Sequence, residues 1–149
     1  MNGDDFHPAT ALLEEIRSAL PLVAIFLVDP AGTVRASAPA TGGGSSASFE
    51  NGVVAAASEA LIEAGSGLLR AAGEARLEGI FVEGAGTHAF LRPLGEGMVV
   101  AIFDPAQSTF GAVRMALRRH GETLALLVQV EPPAPALDRK LLRRFLAKL

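Results

Sequence analysis

The chain has 149 residues, half of them apolar, a formal charge of −3 and no cysteine, tryptophan or tyrosine. That length and apolar content suit one domain with a sizeable core. The missing cysteine excludes disulfides and thiolate metal sites, and the acidic balance without stacking aromatics speaks against a nucleic-acid-binding surface.

Residues 1–8 read as a flexible N-terminus, polar and acidic, without the pattern of a secretory signal. The longest apolar run, Leu20 to Val28, falls short of the roughly 20 residues a bilayer-spanning helix needs. The expectation is therefore a soluble, cytoplasmic protein. Arginine outweighs lysine, and alanine and glycine abound, which points to a GC-rich bacterial source.

From about Pro8 to Leu20, the residues Leu12, Leu13, Ile16 and Leu20 recur at helical spacing, with Glu14, Glu15 and Arg17 facing away. Pro8 suits a first helical turn and Pro21 a stop. Val23 to Val28 is apolar at every position and short, the pattern of a strand buried on both faces. Asp29-Pro30-Ala31-Gly32 has the residues of a tight turn. Thr33 to Ser37 then returns as the second strand of a hairpin.

Pro39 to Ser48 is a glycine- and serine-rich loop. It lacks the GK[ST] ending of a phosphate loop, so that chemistry is rejected. Ser48 is a candidate N-cap for the next helix.

Glu50 to Ala72 predicts the central helix. At about 100° per residue it divides into three arcs. Val54, Leu61, Ile62, Leu68 and Leu69 form a broad arc of large groups. Glu59, Glu63, Ser66 and Arg70 form a narrow polar arc. The third arc is small: Val53, Ala56, Ala57, Ala60, Ala64, Gly67 and Ala71. The expectation is that the large groups cover a sheet while the small ones meet another helix at close range.

Three more strands follow as a meander: Ala75 to Glu83, Thr87 to Pro93 and Met98 to Phe103, the last apolar throughout. Two strands buried on both faces require helices on both sides of the sheet. Thr109 to Val128 predicts a third helix with Ser108 as candidate N-cap and a seam of Phe110, Val113, Leu117, Leu124 and Leu127. The domain thus spans residues 9–128. Residues 129–135 form a proline linker, and 136–149 a short amphipathic tail helix. Five basic residues against Asp138 give that tail +4, leaving −7 of the total −3 for the rest.

No chemistry stands out. His7, His88 and His120 lack metal-ligand spacing. Gly65-Ser66-Gly67 is not a nucleophile elbow, and Asp29 and Asp104 each precede a proline at a strand end, which is turn chemistry. The expectation is a protein that is not an enzyme, with no cofactor and no metal.

The order helix, hairpin, helix, three-strand meander, helix resembles the Roadblock family of dynein light-chain-like domains, in particular its bacterial members that partner small GTPases. The resemblance is carried by VAIFLVDPAGTVRASAP, LIEAGSGLL, LEGIFVEGAGTHAFLRPLGEGMVVAIFD and FGAVRMALRRHGETLALL, and covers about Leu12 to Val128. The glycine-rich loop and basic tail lie outside it. It implies a three-layer α/β/α sandwich around a five-stranded antiparallel sheet, order α-β-β-α-β-β-β-α, to which the tail adds a helix. It also implies homodimerisation through the central helix and the following strand, and regulation or scaffolding of a small Ras-like GTPase without a supplied catalytic residue.

On that reading Ala56, Ala60, Ala64, Gly67 and Ala71 meet their symmetry mates, with Ile80 and Val82 on the adjoining strand. Glu59, Glu63 and Arg70 are candidate contacts to the GTPase. In the tail, Leu142, Phe145 and Leu146 are candidate anchors and Arg143 a steering charge; the tail's basic face is the single route to a membrane surface. Two other functions stay open: a small-ligand sensor module built on a similar hairpin, and a structural dimer without a GTPase partner.

Overall fold

The computed structural model describes residues 7–39 and 49–130. Over them the order is α1 (Ala9–Ala19), β1 (Ala24–Val28), β2 (Val34–Pro39), α2 (Asn51–Ala71), β3 (Ile80–Glu83), β4 (His88–Pro93), β5 (Met98–Phe103), α3 (Phe110–Arg119) and α4 (Gly121–Leu127). The N-cap of α2 is Glu50 rather than the expected Ser48, and the Glu50 side chain makes no capping bond. Ser48 itself, the 131–135 part of the linker and the tail with Leu142, Arg143, Phe145 and Leu146 lie outside the described residues.

The five strands form one antiparallel sheet in the order β2-β1-β5-β4-β3. The two wholly apolar strands, β1 and β5, are its neighbours at the centre, which is why every position of each is apolar. Alternate residues feed two cores. Ile25, Leu27, Val99, Ala101 and Phe103 face Leu13 and Ile16 of α1, Val113 and Leu117 of α3, and Leu124 of α4. Ala24, Phe26, Val28, Met98 and Val100 face α2 through Val54, Ala55 and Ile62. Helices therefore cover both faces, as two doubly buried strands demand.

The β1–β2 turn is held by Asp29. Its buried carboxylate accepts from the Ala31 amide at 3.0 Å, the Thr33 amide at 2.9 Å and Arg35 Nε. Gly32 completes the turn with φ +82°. Asp104 makes the simpler version, accepting from the Ala106 amide at 2.9 Å. Both aspartates are turn-formers. At the same end of the sheet as the β1–β2 turn, the β4–β5 turn packs close: a Cβ at Gly97 would stand 2.6 Å from the Val28 carbonyl oxygen.

Other sequence expectations also need correction. The helix expected from Thr109 to Val128 is two helices that break at His120–Gly121, where the seam passes from Leu117 to Leu124. Its N-cap is Thr109, whose hydroxyl accepts from the Ala112 amide at 3.1 Å; Ser108 instead donates its hydroxyl to the Leu20 carbonyl and ties α3 to the end of α1. The strand expected from Ala75 begins only at Ile80, where pairing with Leu91 of β4 starts. His7, assigned to the loose N-terminus, is buried: Nδ1 accepts from the Ala9 amide at 3.0 Å, so the proton sits on Nε2, which donates to the Val130 carbonyl at 2.9 Å.

Candidate interaction surface

α2 reverses part of its expected orientation. The side turned to the sheet carries Val54, Ala55, Ser58, Ile62, Gly65 and Leu69, while Leu61 and Leu68 point outward. The reason is the sheet surface below. Phe26, Leu91, Met98, Val100 and Ile80 already fill it with large groups. A helix lying on such a surface approaches through small residues. Gly65 sits so close that a Cβ would stand 2.9 Å from Ile80 Cδ1.

The outward side is then apolar without being covered. Val53 is 60% exposed and Leu68 73% exposed. Between and beside them Ala57, Ala60, Leu61, Ala64 and Ala71 form a continuous strip down the helix. By length and composition α2 is also long and apolar enough to span a bilayer, although Glu59, Glu63 and Arg70 interrupt its apolar run. Its sheet-facing side is accounted for by packing; its outer strip is not.

The edge of the sheet continues this strip. Among the described residues β3 bonds only to β4, so its second edge has no strand beside it. Val82 on that strand is 39% exposed, and it shares with Ile80 the sheet face that α2 covers. On the opposite face Phe81 belongs to an aromatic group, its ring centroid 4.5 Å from Phe110 and 5.0 Å from His88. His88 is thereby a packing residue.

Of the residues expected at a dimer interface, Ala56, Ala60, Ala64 and Ala71 are exposed, with Ala56 set toward the polar arc. Gly67 is half-buried, and a Cβ there would meet nothing closer than Arg70 Nη2 at 3.8 Å. Ile80 lies partly buried beneath Gly65, so it reaches an edge partner through its backbone. Leu61 and Leu68 were missed as outward groups, whereas Val53 stands outward on the arc where the sequence put it; the signal available was the run of bulky residues on the strands facing them.

Glu59, Glu63 and Arg70 are exposed on the flank of α2. Glu59 leans over the β1–β2 turn, where a Cβ at Gly32 would stand 2.7 Å from its Oε2. The structure thus gathers Glu59 and the Asp29 turn beside the middle of the helix, with Arg70 near its C-terminal end.

Comparison with solved structures decides what architecture this is. The gliding protein MglB from Thermus thermophilus superposes with a TM-score of 0.73 at 23% identity, over 87% of this chain and 94% of that one. Myxococcus xanthus MglB gives 0.70 at 24%, over 82% and 95%. A Roadblock/LC7 domain from Streptomyces avermitilis gives 0.59 at 16%, over 80% and 91%. The chain has the Roadblock fold. No family model matches the sequence, and no curated protein does. The Roadblock likeness therefore rests on the course of the backbone, to which α2 and the β3 edge both belong.

Proposed function

We propose that this Roadblock-fold protein is a cytoplasmic homodimer that regulates or scaffolds a small Ras-like GTPase. One observation carries the reading: an exposed apolar strip along α2 runs beside an unpaired strand edge. A two-fold axis lets both features satisfy themselves at once, helix strip against helix strip and β3 against β3. Pairing also removes a bare edge that otherwise invites aggregation. Ala57, Ala60, Ala64 and Ala71 allow the two helix backbones to come close, and Leu61 and Leu68 flank the contact.

The paired helices then present Glu59, Glu63 and Arg70 as a polar platform for the partner. The likeness to two MglB structures favours a regulator of this kind over a sensor module. Among the described residues, four clefts of about 240 to 420 Å³ open to solvent rather than enclosing a ligand-sized cavity. Among the described residues no acid–base pair or nucleophile is set out for phosphoryl transfer, and stimulation of hydrolysis would come from repositioning the GTPase's own groups.

The test is capture of a GTPase encoded beside this gene, loaded with either a GTP analogue or GDP. Capture that depends on the nucleotide supports the reading. Equal capture, or none with an intact dimer, favours a structural dimer instead.

A further inference from the structure

A second feature stands apart from α2 and concerns Arg92. This residue lies on β4, on the same sheet face as Phe90, and its side chain is only 17% exposed. It lines a cleft of about 420 Å³ between the β4–β5 turn and the α3–α4 junction, together with Arg76 and Arg118. A neighbouring cleft of about 300 Å³ shares Arg76, Arg92, Pro93 and Gly95 with it.

These arginines are short of acceptors. Glu78 is the acid between two of them, at 3.8 Å from Arg92 Nη2 and 3.7 Å from Arg76 Nε. Both distances exceed a hydrogen bond, and Glu78 itself is exposed and can swing away. Glu122 is the acid on the cleft wall. Among the described residues no acceptor reaches hydrogen-bonding distance of the Arg92 guanidinium. A largely sheltered guanidinium keeps its donors in a planar fork that matches carboxylate and phosphate oxygens in pairs. Gly121 packs beside it: a Cβ there would make an ordinary contact, 3.7 Å from Arg92 Nε.

We propose that Arg92, flanked by Arg76 and Arg118, forms a binding cleft for a small polyanion bearing phosphate or carboxylate groups. The volume falls within the range of small-molecule sites, about 300–1,000 Å³. Arg92 supplies the paired hydrogen bonds from the wall, and the more exposed Arg76 and Arg118 close on the charge from the rim. The site stands whether or not a GTPase is the partner, since none of its groups lies on the α2 strip.

Calorimetric titration of the full chain with pyrophosphate, and separately with citrate, tests this at constant ionic strength. The expected result is one saturable site per chain for at least one anion, and the tighter of the two names the class. Arg92→Gln should weaken it about tenfold, and Arg118→Gln several-fold, by loss of charge-assisted bonds. Arg114→Gln, on α3 beside a different cleft, should change nothing. Should Arg92→Gln fail to fold, the exposed Arg118→Gln decides. The absence of saturable binding, or equal weakening in all three variants, would overturn the proposal.

Discussion

Gly65 of α2 lies over Ile80 of β3, so close that a Cβ at position 65 would stand 2.9 Å from Ile80 Cδ1. The contact sets the height of the helix above the edge strand and makes the α2 strip and the β3 edge one surface. Gly65→Ala should change stability little. Alanine improves helix propensity by about 1 kcal/mol, and the atom it meets is the movable end of a side chain. Gly65→Leu should instead lift the helix and cost about 1–3 kcal/mol. Urea denaturation checks both.

Asp29 makes an acid-sensitive clasp. Burial works to raise its pKa, but the Thr33 amide, the Arg35 guanidinium and the Ala31 amide outweigh it and hold the carboxyl below its ordinary value. A carboxyl with a depressed folded-state pKa stabilises the protein above the unfolded value, near 3.9, and that stability is lost as pH falls through the folded value. Asp29→Ala should cost about 1–3 kcal/mol at neutral pH, because the Ala31 and Thr33 amides lose the carboxylate that holds the turn. The wild type's advantage over this variant should shrink in acid below about pH 4; thermal melts from pH 7 to pH 2 read this directly.

The tail gives a third prediction. Removing residues 131–149 should leave the oligomeric state intact and the melting temperature changed by less than about 2 °C, as expected of a short segment that follows a proline-rich stretch. Affinity for a GTPase partner should fall, and its salt dependence should weaken with the loss of five basic residues. A fall of many degrees with unchanged partner affinity would place the tail in the fold instead.

Much of the architecture was legible because two physical signals are strong. Unbroken apolar runs such as Met98 to Phe103 have no home except the centre of a covered sheet, and that strand kept its expected bounds. Proline and glycine punctuation marked the hairpin turn at Asp29 to Gly32. What escaped depended on contacts between distant residues. The size of side chains on α2 pointed Leu61 and Leu68 at the sheet, yet the packing of Phe26, Leu91 and Val100 beneath reserved that place for Ala55, Ser58 and Gly65. His7 could not be placed because its partner, Val130, is 123 residues away. The break at His120–Gly121 falls within an otherwise continuous apolar seam, with the glycine as its only local mark.

The mass of the protein in solution tests the central claim that α2 and β3 form a two-fold interface. Light scattering at micromolar concentration should give about twice the 15.4 kDa of one chain. Ala64→Arg, which sets a charge in the middle of the outer strip, should give the single-chain mass or insoluble protein with the strip exposed. A wild-type mass near 15.4 kDa, or an Ala64→Arg variant that keeps the wild-type mass, would contradict the interface and the function built on it.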